Sequence, residues 1–456
     1  MLSPFFKVID RSDSCYYAGC SKNQQGAKGG FMIQVLFRVW PLLLGIVFIM
    51  LGNGMHFTLI GVRGGIEGFS TAELAIVTSS YFMGFLLGAR LSPLMIKRVG
   101  HVRVFAALGS FMSAGLIAFP LLTEPWAWTS LRLLLGICMS GIYVTAESWL
   151  NNAATNETRG KVLSAYMIAQ TLGIIGAQGL LTLGDAGTSV LFMCASILVS
   201  ISFAPILLSA TPVPVVEVAR PMPLRDLYTG SPLGTVGIFL LGSAFATQTG
   251  MGAVFGTQIG LTATQVALFI AMLFSGALIL QYPIGWLSDQ MDRRKLIFGS
   301  ASLGTASCAL GWLTSGGLWP LMVSAFFAGG VAMPLYALLL AHANDSLSTE
   351  DMPAASGGLV FTFGLGAILG PLVTGLAMQE LGPYGFWLVL GATFCAIAFY
   401  ALYRMTQRAA TPVDETESYL GILPTASFVA VEAAGAWAAT KAEAECEAYV
   451  EADDQS

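Results

Sequence analysis

The chain has 456 residues, of which 55% are hydrophobic and only 10% charged. Soluble domains carry about 25% charged residues, so an ordinary water-soluble domain is excluded. The formal charge of −5 comes from residues 411–456, which hold ten acidic residues and one lysine; the remainder, at about +4, suits a protein facing anionic lipid.

Residues 1–31 are polar and lack the apolar core of a signal peptide. They read as a cytoplasmic tail, or as an over-long gene start upstream of an initiator at Met32. Twelve apolar runs follow, at 35–61, 72–92, 104–122, 126–149, 162–183, 189–209, 233–258, 263–286, 296–314, 317–341, 354–377 and 384–403. Each is long enough to cross a bilayer as a helix. A transmembrane β-barrel needs short alternating strands, which these runs are not. The expected fold is therefore all-α and membrane-embedded, with twelve transmembrane helices in two pseudo-symmetric six-helix bundles, 32–209 and 232–408. Residues 210–231, with Pro212, Pro214, Pro221 and Pro223, disfavour helix and suit an extended connector. The stretch 409–456 is rich in Ala and Glu, and is expected to be an acidic cytoplasmic tail, mostly disordered or a loose surface helix.

Charge sets the orientation. One set of loops holds Lys97, Arg98, Arg103, Arg159, Lys161, Arg220, Arg225, Arg293, Arg294 and Lys295, whereas the opposite set holds Arg63 alone. The positive-inside tendency then places both termini in the cytoplasm, in a bacterial inner membrane. Loop 10–11, with Asp345, Glu350 and Asp351, breaks that trend. Of the seven cysteines, Cys138, Cys194, Cys308 and Cys395 lie in spans as packing residues. Cys15 and Cys20 lie where thiols stay reduced. Neither a disulfide framework nor a metal site is expected.

The densest signal is the loop Gly285-Trp-Leu-Ser-Asp289-Gln-Met-Asp292-Arg293-Arg294-Lys295, between two uncharged apolar stretches. A cruder copy, Pro93-Leu-Met-Ile-Lys97-Arg98-Val-Gly100-His101-Val-Arg103, lies about 192 residues earlier. Gly173, Gly176 and Gly179 in span 5 match Gly364, Gly366, Gly370 and Gly375 in span 11. Small residues so placed let helix backbones approach closely. Together these features indicate a duplicated transport protein whose halves rock against each other.

The chain resembles the major facilitator superfamily. The resemblance rests on twelve spans in two halves, on Gly285-x-x-x-Asp289-x-x-x-Arg293-Arg294, and on Arg132-x-x-x-Gly136 in span 4. Ala146-Glu147-Ser-Trp149-Leu-Asn151 and Thr155-Asn-Glu-Thr-Arg159-Gly160 look like the YcaD-like bacterial branch. The resemblance implies that Asp289, Arg293 and Arg294, with Gly285, build an inner gate. Arg98, Gly100 and Arg103 are its first-half counterpart, in which Pro93 replaces the glycine and Lys97 the acid.

Ionisable groups inside spans cost about 2.5–3.5 kcal/mol each on insertion scales, so each needs a reason. Arg132 must face polar groups, water or an anion, since it does not plausibly lose its proton. Arg132, Gly136, Ser140, Tyr143 and Glu147 recur at nearly helical period and form one stripe, which the resemblance turns towards a central cavity. Glu147 is expected to pair with Arg98 or Arg103, to carry a proton, or to be a plain surface acid. Gly52-Asn53-Gly54 marks a weak point in span 1, beside His56, whose proton can move near neutral pH. Gln248 and Tyr336 are candidate ligand contacts, or else bonds between helices. Arg63 reads as an outer-rim charge and His342 as an inner-surface residue.

No phosphate-binding Gly-Lys-Ser/Thr loop is present, and no enzyme, cofactor or nucleic-acid role is expected. The expected partners are a small organic solute, protons and the bilayer, with the chain a monomer. The expected function is secondary active transport by alternating access, coupled to protons. Drug-type efflux is the alternative within transport. A sensor or scaffold using the acidic tail is the alternative outside it.

Overall fold

The computed structural model describes residues 28–207, 222–314, 317–347, 351–407 and 419–453. The proline-rich part of the connector up to residue 221, and Cys15 and Cys20, lie outside them. The first half comprises α1 (Lys28–Ile66), α2 (Thr71–Val99), α3 (His101–Ala118), α4 (Pro125–Ala153), α5 (Asn156–Leu181) and α6 (Val190–Leu207). A short α7 (Leu224–Gly230) leads into the second half. There α8 (Pro232–Ala246), a π-turn at Thr247–Met251 and α9 (Gly252–Gln258) make one span, followed by α10 (Ala263–Ser288), α11 (Arg293–Leu313), α12 (Leu318–Asn344), α13 (Met352–Leu381) and α14 (Gly385–Gln407). Among the described residues, eleven spans are long and apolar enough to cross a membrane, and α6 is the shorter twelfth.

Local chemistry sets the helix ends. Ser70 with Glu73, and Thr262 with Gln265, form reciprocal capping boxes at the starts of α2 and α10. Asp292 caps α11 by accepting from the Arg294 amide at 2.9 Å. Gly100, at φ +85°, turns α2 directly into α3, a conformation in which a side chain would be strained.

The two halves repeat one set of pairings. In the first, α2 packs on α4, α1 on α5, and α3 on α6; in the second, α10 packs on α12, α8 on α13, and α11 on α14. Glycines permit the tightest of these. A Cβ on Gly136 would collide with the Tyr81 carbonyl, and one on Gly276 with the Phe326 carbonyl. Gly52 and Gly54 serve the same purpose. α1 runs unbroken through Asn53, with Gly52 against α6 and Gly54 against α5. The weak point expected there is absent because close packing, rather than a bend, uses both glycines. The local irregularity lies instead at the π-turn, where Gly250 abuts Thr78 of α2.

The halves meet firmly at the end where α2 begins. Ser79 donates to the Ile368 carbonyl at 2.8 Å, Gly375 packs on Ala75, and Gly61 packs on Ala253. At the opposite end, where the Asp289 loop lies, the C-terminal segment occupies the space between them. Residues Tyr419–Ser427 run as irregular chain into α15 (Phe428–Asp453), which touches α4 and α5 of the first half and α13 of the second. The expectation of a disordered or loose surface tail is thereby corrected. Its apolar run Tyr419–Val431 has a cleft in which to bury, and Leu423 is only 4% and Val431 0% exposed.

Candidate functional site

A cavity lies between the halves, walled by Asn53, Phe57, Tyr81, Tyr143 and Gln178 from the first and by Phe245, Thr249, Phe274 and Met333 from the second. Leu423 and Thr425 of the C-terminal segment form part of the same wall. Its volume is about 60 Å³. A site of about 10–15 Å³ on this measure holds one water, so the space takes a few waters and no organic molecule of ordinary size.

The lining is mainly aromatic and apolar, with a few polar groups, as ligand sites usually are. Thr58 donates to Gln178 Oε1 at 2.9 Å, and Gln178 in turn reaches the Ile174 carbonyl at 3.3 Å. The Tyr143 hydroxyl lies 3.4 Å from Met50 Sδ. Buried Asn53 Oδ1 has no hydrogen-bond partner. Asn53 and Tyr143 are thus the sequence-selected residues that the fold brings together on this wall.

Arg132 lies one layer behind. It is fully buried, 4.2 Å from the Phe57 ring centre and 5.2 Å from that of Tyr81, and its three guanidinium nitrogens have no hydrogen-bond partner. Two cation–π contacts offset part of the cost of burial. Both rings also wall the cavity, so a rotation of Phe57 or Tyr81 is what separates the cation from it. The expected stripe is divided: Gly136 and Ser140 face α2, whereas Tyr143 faces the cavity. His56 does not reach the cavity. It packs edge-on against Phe119 and Phe192, on the far side of α1. Gln248 donates to the Ala328 carbonyl at 3.1 Å and so ties the π-turn to α12. Tyr336 is buried against Phe363, outside the cavity wall, and its hydroxyl has no partner.

Glu147, 1% exposed, accepts from the Tyr166 hydroxyl at 3.0 Å and from the Ser427 amide at 2.9 Å. Neither Arg98 nor Arg103, both on the exposed surface, is its partner. Ser427 stands at the start of α15, so the positive end of a helix faces the carboxylate. The expected pairing with a loop arginine is replaced because the docked segment offers amides at shorter range.

The gate-motif residues make separate local contacts. Arg293 holds Asp345 at 2.5 Å, a buried pair that joins the start of α11 to the end of α12. Arg294 pairs with Asp292 at 3.1 Å. Burial pushes the Asp292 carboxyl up, but bonds from the Arg294 side chain and backbone outweigh this and hold it below its usual range. Asp289 accepts from the Tyr419 amide at 2.8 Å, and Gln281 donates to the Tyr419 hydroxyl at 2.8 Å. Burial, then the Asp289 charge, raise the Tyr419 phenol above its usual range. Gly285 lies against the Tyr419 ring, where a Cβ would come within 2.6 Å. Arg63 binds Glu67 and caps the carbonyls of Ala186 and Gly187 at the opposite end.

Sequence reasoning missed Gln178, Tyr166, Asp345 and the segment from Tyr419 onwards. Gln178 is one of two amides, with Gln170, in the apolar run 162–183, a signal that could have found it. Asp345 was visible as one of three acids, with Glu350 and Asp351, that broke the loop charge pattern. The segment was visible as an apolar run inside an acidic tail.

Comparison with known proteins bears on the whole chain. Residues 233–441 match the family model of the Major Facilitator Superfamily, and residues 6–213 match that of Sugar (and other) transporters. An uncharacterized MFS-type transporter of Enterobacter sp. (strain 638) is 24% identical over 377 residues, covering 82% of this chain and 97% of that protein. The uncharacterized MFS-type transporter YcaD of Escherichia fergusonii matches to the same extent. Among solved structures, the nucleoside transporter NupG superposes with a TM-score of 0.67 at 16% identity, covering 81% of this chain and 99% of that one. A bacterial homolog of the human lysosomal transporter Spinster, in an inward-facing and unoccupied conformation, gives 0.61 at 14% identity, covering 89% and 97%. With the duplicated helical fold, these matches identify the chain as a membrane transporter of the major facilitator superfamily.

Proposed function

We propose that the chain is a secondary active transporter that moves a small organic solute by alternating access, coupled to protons. The observation that carries this reading is the cavity, walled by both halves and sealed on one side by direct packing of α2 on α13 and α1 on α9. Opening and closing such a site from either end needs only that the halves rock. Arg132 behind Phe57 and Tyr81 favours a solute with an anionic or strongly accepting group. Asn53, with its unpartnered oxygen, offers a second polar contact. Glu147 is the one carboxylate among the described residues that is buried inside a span. It supports proton coupling, because a carboxyl group can cross between exposed and occluded states as a neutral acid. The basic loops at the Asp289 end support a cytoplasmic position for that end, in a bacterial plasma membrane.

The test begins with a thermal-shift screen of the purified protein against metabolite and drug libraries. A binder raises apparent stability by mass action, by about 2.7 kcal/mol at 100 times its Kd. Solutes that use this cavity lose their shift in Asn53→Leu and Tyr143→Leu. A shift that persists undiminished in both variants places the solute elsewhere and contradicts the reading.

A further inference from the structure

We infer that the cleft at the Asp289 end is a docking site for an extended peptide segment, and that residues 419–441 of this chain are its occupant and plug the solute path. The inference rests on the cavity being the solute site. The segment enters where the halves must separate to admit solute, and Leu423 and Thr425 take up the space that a solute needs.

Docking uses built contacts on both halves. On the second half, Asp289 accepts the Tyr419 amide and Gln281 donates to the Tyr419 hydroxyl. On the first half, Glu147 accepts the Ser427 amide at the start of α15. Hydrogen bonds to a carboxylate are stronger than neutral ones, and here each half supplies one such carboxylate. Two aromatic anchors fit glycine notches, again one per half. The Tyr419 ring lies on Gly285, and the Trp437 ring lies on Gly160, where a Cβ would come within 2.5 Å.

The cleft is wider than its occupant. Gaps of about 840 Å³ between α5 and α10, and about 490 Å³ between α2 and α13, flank the segment on its two sides. At this end the segment stands between the halves, which touch directly where Arg90 of α2 lies 4.7 Å from the Phe361 ring centre of α13. While it is docked, solute cannot enter and the end cannot close. Each turnover, or each activation event, requires the segment to leave.

The test measures access to the cavity, not transport, so it fails or succeeds independently of the transport reading. Full-length chain without native cysteines carries one reporter, Thr249→Cys on the cavity wall or Ala253→Cys at the packed end. The rate of labelling by a charged maleimide is measured in detergent solution. Tyr419→Ala with Trp437→Ala frees the segment from its own side. Gly160→Leu with Gly285→Leu evicts the same rings from the body side. Both pairs are expected to speed labelling at position 249 at least tenfold and to leave position 253 unchanged. An unchanged rate at 249 in either pair overturns the proposal. So does equal acceleration at both positions, which reports general loosening. A disulfide between Ser427→Cys and Glu147→Cys is expected to suppress labelling at 249, with reduction restoring it; labelling that ignores the bond also overturns the proposal.

Discussion

Arg132 and the Arg293–Asp345 pair show how differently buried charge is handled in this molecule. Arg132 rests on two aromatic rings without a hydrogen bond, so its burial costs the fold more than it returns. Arg132→Met is accordingly expected to keep or raise the melting temperature while abolishing solute binding. A marked fall in melting temperature would show instead a structural role. Arg293 and Asp345 are joined at 2.5 Å with both side chains buried. Removing one partner strands the other, at about 3–5 kcal/mol. Asp345→Asn is therefore expected to lower stability far more than the double replacement Arg293→Met, Asp345→Leu. A double-mutant cycle by thermal unfolding checks this, and additive effects would contradict it. At this scale the sequence was only partly legible. Burial cost singled out Arg132 and Glu147, and both side chains are buried in the structure. Which atoms meet their charge depends on contacts between distant segments, as with Ser427 and Glu147, and no spacing rule reaches 280 positions along the chain.

Among the elements, helix packing follows the glycines. The α2–α4 contact depends on Gly136 against the Tyr81 carbonyl, a rigid neighbour that cannot move aside. Overpacking a close contact costs about 1–3 kcal/mol, so Gly136→Ala is expected to lower stability by that order. Gly179, in α5, has open space where a Cβ would fall. Gly179→Ala is expected to be neutral or slightly stabilising, because glycine is the poorer helix former. Equal losses at both sites would show that helix propensity, not close approach, governs these positions. The spans themselves were readable, since a long apolar run in a chain with few charges has little alternative to a transmembrane helix. The role of Gly52 and Gly54 was not, because a glycine that bends a helix and one that admits a neighbour look alike in one dimension. The C-terminal segment was misread for a related reason. Its overall acidity masks the apolar run Tyr419–Val431, and only the cleft between the halves gives that run a place to bury.

Taken as a whole, the molecule is two copies of one bundle, packed at one end and with the C-terminal segment lodged between them at the other. The repeat was legible from the paired loops, and it carried the fold. The conformational state was not, because it depends on how the halves meet rather than on either half. Under the proposed alternating access, the Asp289 end comes together as the cavity is exposed at the other end. Glu147 lies on that route, buried between Tyr166 and the start of α15, and under the proposed coupling it carries the proton. The most direct measurement is flux of a solute found by thermal shift, in proteoliposomes, with and without an imposed pH gradient. The gradient is expected to drive accumulation in the wild-type chain. In Glu147→Gln, exchange should persist with no response to the gradient. Flux through the wild-type chain that ignores the gradient, or a Glu147→Gln variant still driven by it, would contradict the account.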